Sequence, residues 1–239
     1  MLKKTVILLA EGATERTLYV KLVERLLDAE KRYDYGILPV AIRDLIRVFN
    51  KKYITILNIQ DKVLTVIIDC RGYENLKKHV REILLSESLE DAIKDGLSIL
   101  VIAADKDKDP LNSIKGVITS IGFEVNVRDN IIHVNIDSHV IQIMVLEQGR
   151  MEGTMELEDD LELLAKQIEP ELDKAITILE DRLGRRLSPK QRLGIFEAII
   201  VDNRGLPSLI EQLINRSRNH ELEKKLNKQI EVIKLVKTL

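Results

Sequence analysis

The apolar run Ser98–Ala103 continues through Ala104 into three acids at alternate positions, Asp105, Asp107 and Asp109. A continuous apolar run of this length predicts a strand covered on both faces, as in a parallel sheet flanked by helices. Three neighbouring carboxylates repel one another and raise each other's pKa. A hard divalent cation is the usual compensation, because Mg2+ prefers carboxylate oxygens and keeps waters for phosphate groups. The end of this strand therefore predicts a metal site.

A second apolar strand, Lys4–Ala10, runs into Glu11 and Gly12. We expect Gly12 to permit a tight strand-to-helix turn and Thr14 to cap the helix that follows. Glu11 would then stand at the carboxyl end of a strand, which is where open parallel sheets bind ligands. For Glu15, in the first helical turn, complementing the helix dipole is the simpler explanation.

A third apolar strand ends at Asp69, and a turn containing Gly72 follows it. Two interpretations of Asp69 are equally open, namely a loop that caps the next helix and a supporting role in the site. Farther along, three alternating segments between residues 123 and 146 predict an antiparallel meander at the edge of the sheet.

The chain divides, by its pattern, into an α/β domain over residues 1–150 and a helical domain over residues 151–239. The segment Gln148–Thr154 is the clearest linker, and Glu156 lies in the acidic start of the helix beyond it. Most of these acids fit the helix dipole, although Glu156 could reach the active site across the domain junction. Besides a helix from about Pro39 to Asn50, we expect helices at Met155–Ile168, Pro170–Leu183, Pro189–Val201, Leu206–Arg216 and His220–Val236.

Composition excludes several classes of protein. A single cysteine, Cys70, rules out an intramolecular disulfide and a cysteine zinc site. No apolar run is long enough to span a membrane, and the first residues lack a signal-peptide pattern, so we expect a cytoplasmic protein without membrane contacts. The net charge of -2 gives no global argument for nucleic-acid binding.

The order of these motifs resembles the Toprim domain, which topoisomerases, bacterial-type primases, recombination-repair proteins and small nucleases share. The matching residues are Ala10-Glu11-Gly12 and Asp105-Lys106-Asp107, with Gly72 as a weaker match between them. The resemblance covers roughly residues 1–130. It implies a mainly parallel sheet flanked by helices, followed here by the all-helical part.

The resemblance also implies roles for the acids. Glu11 would be the general acid/base or a metal-assisting carboxylate in phosphoryl transfer. Asp105 and Asp107 would hold Mg2+ (or Mn2+), and Asp109 matches a further acid that some members carry. Gly12 and Gly72 would support the site, and the positions of Asp69 at a strand end and of Glu156 at a helix start make these two acids further candidates for a supporting role.

The placement of the tyrosines and the single cysteine make several branches of the family less suitable for this chain. A topoisomerase needs a tyrosine nucleophile, and all five tyrosines lie before residue 74. The primase and recombination branches usually carry cysteine-rich zinc modules, which one cysteine cannot build. A small nuclease acting on DNA or RNA remains, and the residues we expect to contact the phosphate backbone are Arg182, Arg185, Arg186, Lys190 and Arg192.

Other interpretations stay open. That cluster of cations could equally be a solubilising helix end. Lys106 and Pro110 depart from the family pattern, so the chain could be a non-catalytic metal- or nucleic-acid-binding module. A phosphatase-like or receiver-like α/β protein acting on small phosphates is a second enzyme alternative. The apolar stripes of the last two helices fit a homo-oligomer interface as well as internal packing.

Overall fold

β-Branched and leucine-rich runs form the strands of an eight-stranded sheet in the computed structural model, which describes residues 3–239. The strands are β1 (Lys4–Ala10), β2 (Glu30–Arg32), β3 (Ile54–Ile59), β4 (Val63–Asp69), β5 (Leu97–Asp105), β6 (Val125–Arg128), β7 (Ile131–Ile136) and β8 (His139–Gln148). Their order across the sheet is β2-β3-β4-β1-β5-β8-β7-β6. The four central strands β4, β1, β5 and β8 are parallel, and the outer strands pair antiparallel to their neighbours.

Eleven α-helices lie within the described residues. They are α1 (Ala13–Leu27), α2 (Val40–Leu45), α3 (Tyr73–Leu84), α4 (Leu89–Lys94), α5 (Pro110–Ser120), α6 (Leu157–Ile168), α7 (Pro170–Leu183), α8 (Pro189–Ile200), α9 (Leu206–Arg216), α10 (Asn219–Lys225) and α11 (Asn227–Thr238). None of the helices in residues 3–239 combines the length and apolar character that crossing a membrane requires.

Alternate residues of the central strands bury into two cores, one on each face of the sheet. In β1, Ile7 and Leu9 pack with α2 to α5, whereas Val6 and Leu8 pack with α1 and the helices after residue 156. The period of two explains this division, because successive side chains of a strand point to opposite faces. The predicted parallel centre and the predicted antiparallel meander are both present.

Several local expectations differ from the structure. Gly12, not Thr14, precedes the first residue of α1. The helix expected to reach Asn50 ends at Leu45. The final helix is divided at Leu226, whose φ of -114° and ψ of 38° interrupt helical geometry between α10 and α11. The short edge strand β2 is polar and exposed, so it has no apolar pattern that would predict it.

Candidate carboxylate site

The carboxyl ends of β1 and β5 bring two of the predicted site residues together. These strands are parallel neighbours with Ala10 opposite Ala103, so Glu11 and Asp105 follow at the same edge of the sheet. The Glu11 N–H donates to the Ala103 carbonyl at 3.0 Å. The backbone N–H of Asp105 donates to Oε2 of Glu11 at 3.2 Å, which fixes this carboxylate beside the end of β5.

Strand β4 completes the site from the other side of β1. Because Asp69 stands opposite Ala10, the turn after β4 lies next to the turn after β1. The Gly72 N–H donates to the Glu11 carbonyl at 2.7 Å, and Gly72 has φ of 111°, a conformation that favours glycine. Glu11, Gly12, Ala13, Glu15, Asp69, Arg71 and Gly72 line an open cleft of about 390 Å³.

Asp69 has a structural partner within this cleft. Its carboxylate accepts a hydrogen bond from the Arg71 N–H at 2.9 Å, and this bond holds the turn that carries Arg71. Arg71 itself has φ of 61°. Asp69 is therefore a residue that shapes one wall of the cleft.

Glu15 is a member of the site that sequence reasoning missed. Only 7% of its surface is exposed, and its Oε2 accepts a hydrogen bond from the Gly12 N–H at 2.9 Å. A helix-dipole role explains an exposed acid in the first turn, but it does not explain a buried one. The signal available in the sequence was its position three residues after Gly12, since a glutamate at that place in the first helical turn can accept a hydrogen bond from the N–H of the capping residue.

The carboxylates of the cleft perturb one another. Burial raises the pKa of Glu11, and the hydrogen bond from Asp105 and the charge of Lys108 oppose that shift. Burial, and then the charges of Glu11 and Glu158, raise the pKa of Glu15 to about 7. Burial, followed by the charge of Glu15, raises the pKa of Asp105 to about 8. Ionising these carboxylates together is therefore unfavourable in the absence of a compensating positive charge.

The start of α6 lies directly over Asp105. The Leu157 N–H donates to Oδ1 of Asp105 at 3.0 Å, and the Lys106 N–H donates to the Met155 carbonyl at 2.9 Å. The first N–H groups of a helix have no partner within the helix, so a carboxylate there satisfies one of them. Two hydrogen bonds therefore connect the carboxyl end of β5 to the amino end of α6.

Buried acids hold the segment that leads into α6. The Asp159 carboxylate accepts hydrogen bonds from the N–H groups of Arg150, Thr154 and Met155, the last at 2.9 Å. Asp160 accepts from the side chain of Gln229 in α11 at 3.1 Å. The segment Gln148–Thr154, predicted as a linker, is therefore anchored by its backbone to α6, and the Lys228 side chain of α11 donates to the Gly149 carbonyl at 2.8 Å.

Two further acids at the start of α6 influence the site through their negative charges. Glu156 precedes the helix, and its charge contributes to the raised pKa of Glu11. Glu158, one of the acids at this helix start that fit the helix dipole, contributes to the raised pKa of both Asp105 and Glu15. The acidic start of α6 is thus close enough for its charges to act on the same carboxylates.

The other two acids of the opening motif differ in their surroundings. Asp107 pairs with Lys108, and its charge acts on Glu11. Asp109 has φ of 46° and accepts from the Asn112 side chain at 3.0 Å, at the start of α5. Asp107 therefore lies close enough to influence the Glu11 carboxylate, whereas Asp109 is engaged in local structure.

The donor set fits a cation held through few protein ligands. Among the side chains of residues 3–239, no three or more His, Cys, Asp or Glu residues form a ready metal-binding group. Mg2+ does not need one, because it commonly takes one or two carboxylates and completes its shell with waters and substrate phosphates. Glu11 lines the cleft, Asp105 ends the neighbouring strand β5, and both can supply carboxylate oxygens.

The predicted cluster of C-terminal cations lies on α7, α8 and the turn between them, and its members differ. Arg182, Arg185 and Lys190 are exposed. Arg192 is 5% exposed and pairs with Glu162, Asp173 and Glu180. The Leu187 N–H and the Arg192 guanidinium hold the pKa of Glu180 at about 2. Arg192 is therefore enclosed by carboxylates and is not presented to a phosphate backbone, which corrects the expectation for that residue.

Arg186 is intermediate between these cases. Its guanidinium is exposed but donates to Glu180 at 3.2 Å. Because the guanidinium is mostly exposed although Glu180 is buried, part of the cation remains accessible to solvent.

Comparison with known proteins informs the fold alone. No protein-family model matches the chain, and no curated protein matches it. Two matches to solved structures have TM-scores too low to indicate a shared fold. One is a hypothetical protein from S. aureus (9% identity, covering 61% of this chain and 96% of that chain, TM-score 0.17). The other is a protein from Thermus thermophilus (14% identity, covering 89% of this chain and 36% of that chain, TM-score 0.20). A hypothetical protein from Pyrococcus horikoshii OT3 matches with 20% identity over 98% of this chain and 97% of that chain, at a TM-score of 0.68. The chain is therefore similar in its overall fold to that protein.

Proposed function

We propose that the chain is a Toprim-like, metal-dependent phosphodiester enzyme, most simply a small nuclease that acts on DNA or RNA. The observation that carries this proposal is the hydrogen bond from the Asp105 N–H to the Glu11 carboxylate, at the ends of two parallel strands. It joins a candidate proton-transfer group to a candidate metal ligand at the ligand-binding edge of the sheet.

Glu11 is suited to proton transfer. Its pKa is raised by burial in the cleft, and a general acid or base works best when its pKa approaches the working pH. Its side chain is half-buried and lines the open cleft, so a substrate group can reach it.

Asp105 and Asp107 are the residues that would hold Mg2+ or Mn2+. When bound, such an ion polarises a phosphoryl oxygen and offsets the charge that develops on it. The Leu157 N–H holds Asp105 in place from α6, and Glu15 adds negative charge beside it. Asp105 has to lose its proton to bind a cation, so the raised pKa of Asp105 predicts tighter metal binding as the pH increases.

Cleavage assays test this proposal directly. End-labelled single- and double-stranded DNA and RNA are incubated with the protein in Mg2+, Mn2+ or EDTA. We expect metal-dependent cleavage by the natural sequence. Glu11→Gln and Asp105→Asn should each reduce the rate by about 100-fold or more, because one removes proton transfer and the other a metal ligand.

A matched control uses Glu87→Gln, which neutralises an exposed carboxylate in the connection between α3 and α4. This variant should cleave at the natural rate. Cleavage that survives both Glu11→Gln and Asp105→Asn would contradict the assigned site.

A non-catalytic metal- or nucleic-acid-binding module is the second candidate. The observation that favours it is the lack of a ready three-ligand group within residues 3–239. Calorimetry that detects Mg2+ binding, weakened by Asp105→Asn, together with intact DNA and RNA in every assay, would support this module over the nuclease.

A further inference from the structure

A surface of tyrosines and cations adjoins the carboxylate cleft and has no role in the proposed metal binding or proton transfer. We define this tyrosine–cation surface by Tyr35, Arg47, Lys51, Lys52, Tyr53 and Arg71. Strand β3 is antiparallel to β4 with Ile54 opposite Ile68, so the start of β3 lies at the sheet edge where β4 ends. Lys51, Lys52 and Tyr53 directly precede β3 and therefore stand beside the turn that carries Arg71.

The aromatic rings of this surface hold its cations. Nζ of Lys52 lies 4.8 Å from the centre of the Tyr53 ring, and the guanidinium carbon of Arg71 lies 5.1 Å from the same centre. Nζ of Lys51 lies 5.1 Å from the Tyr35 ring, and the Tyr35 hydroxyl donates to the Lys51 carbonyl at 3.1 Å. Such contacts restrain long side chains while leaving their charges at the surface.

The surface is continuous between two clefts. At one end, Arg71 lines the carboxylate cleft together with Glu11. At the other end, Tyr35 and Lys51 line a second cleft of about 470 Å³, in which Arg43 and Arg47 also lie.

Among the described residues, every cation of this surface is free of a carboxylate partner, whereas two of the five cations of the C-terminal cluster are paired. Within residues 3–239, Arg43, Arg47, Lys51, Lys52 and Arg71 have no carboxylate oxygen within 4.0 Å. Asp44 contributes one negative charge to the second cleft. Arg186 and Arg192, by contrast, pair with Glu180.

We infer that the tyrosine–cation surface binds the phosphodiester backbone of a nucleic-acid strand and leads it to the carboxylate cleft. A row of unpaired cations matches the regular charge of a phosphate backbone. The rings of Tyr35 and Tyr53 are already covered by cations, so the surface contacts phosphates and not stacked bases. Because the strand leads to the carboxylate cleft, this assignment rests on the proposed function.

Fluorescence polarisation in EDTA separates binding from cleavage. Labelled single- and double-stranded DNA and RNA of one length are titrated with the full chain carrying Glu11→Gln, at salt concentrations from about 50 to about 200 mM. Lys51→Ala with Lys52→Ala should weaken binding about tenfold. The slope of log affinity against log salt should become shallower by about 1.4 for a single strand, since two phosphate contacts are lost.

The matched control is Lys234→Ala with Lys237→Ala, which removes two exposed lysines from α11. This control should keep the affinity and the salt slope. Equal loss in both double variants would mean that only net charge matters, and it would overturn the assignment. Loss in Arg182→Ala with Arg185→Ala, and none in the Lys51 and Lys52 variant, would place the strand on the C-terminal cluster instead.

The remaining outcomes keep this surface distinct from the nuclease proposal. Binding that depends on Lys51 and Lys52, with no cleavage in Mg2+ by the natural sequence, would retain the surface and reject the chemistry. Cleavage that depends on Glu11, with binding unaffected by the Lys51 and Lys52 changes, would retain the chemistry and reject the surface. Binding to an acidic protein and to no nucleic acid would reject the partner.

Discussion

Glu15 has an environment that makes its negative charge unfavourable. It is nearly inaccessible to solvent, and Glu11, Asp105 and Glu158 add negative charge around it. Its pKa is about 7 in the folded protein, against an ordinary value of 4.5. Between these two pH values the folded state holds more protons than the unfolded state, so the free energy of unfolding falls as the pH increases through that window.

Replacing Glu15 should therefore stabilise the protein above neutral pH. Glu15→Gln removes the buried charge and keeps an oxygen that can accept the Gly12 N–H. We expect the free energy of unfolding at pH 8 to increase by up to about 3 kcal/mol, with little change at pH 4, where Glu15 is protonated in both states. Urea unfolding at the two pH values measures the difference.

Glu74→Gln is the matched control, because Glu74 is an exposed acid in the first turn of α3. There the lost dipole interaction should cost about 0.3–1 kcal/mol at pH 8. If Glu15→Gln also lowers the free energy of unfolding at pH 8, the negative charge of Glu15 does not destabilise the folded protein.

Single residues show where sequence reasoning succeeds and where it fails. Glu11 and Asp105 could be placed together from the sequence, because parallel strands end at the same edge of a sheet and each of these acids stands at the carboxyl end of an apolar strand. Glu15 could not, since its sequence position fits a dipole role and only packing reveals its burial. The expected phosphate contact of Arg192 was wrong for a similar reason. The sequence of its own helix does not show that Glu162 and Glu180 pair with it from other helices.

At the scale of elements, the turn between β8 and α6 determines how α6 approaches Asp105. Gly149 has φ of 82°, and a Cβ added to it would lie 2.3 Å from the Glu156 nitrogen. The turn therefore requires glycine for both conformation and space. A composition of glycine and polar residues predicts a linker, but the buried acids Asp159 and Asp160 accept hydrogen bonds from the backbone of this segment.

Gly149→Ala tests that requirement. The added methyl group would force the backbone of residue 156 away from β5, so we expect a loss of stability of about 2 kcal/mol or more, together with weaker binding of Mg2+ at the metal site that we propose for Asp105. Gly116→Ala in α5 is the control, because nothing lies within 4 Å of its added Cβ. That change should increase stability by about 0.5–1 kcal/mol through helix propensity. Thermal unfolding and Mg2+ calorimetry measure both effects, and equal behaviour of the two variants would contradict the steric role.

Elements with strong periodicity were predictable, and their breaks were less so. The helix Pro170–Leu183 and the helix Leu206–Arg216 begin and end where the sequence pattern places them. The break at Leu226 has neither glycine nor proline to mark it. Such a break depends on how α10 and α11 pack, which local pattern does not encode.

The whole molecule shares one apolar core between its two predicted domains. Leu18 and Leu22 of α1 belong to the same buried cluster as Leu209 and Leu213 of α9 and Val232 of α11. Helices α9 and α11 both pack against α1. The division into residues 1–150 and 151–239 remains a prediction about sequence organisation, but the packing joins the two parts on one face of the sheet.

A shared core predicts that the chain unfolds as one unit. Calorimetry should show one transition whose van't Hoff enthalpy equals the measured enthalpy, about 170 kcal/mol near 60 °C for a chain of 239 residues. Independent unfolding of residues 151–239 would instead give a separate transition of about 60 kcal/mol. Leu213→Ala, which truncates a buried side chain of α9, should destabilise the whole transition by about 2–5 kcal/mol because α9 supports α1. Two transitions, of which Leu213→Ala shifts only one, would show that the helical part folds independently and would contradict a shared core.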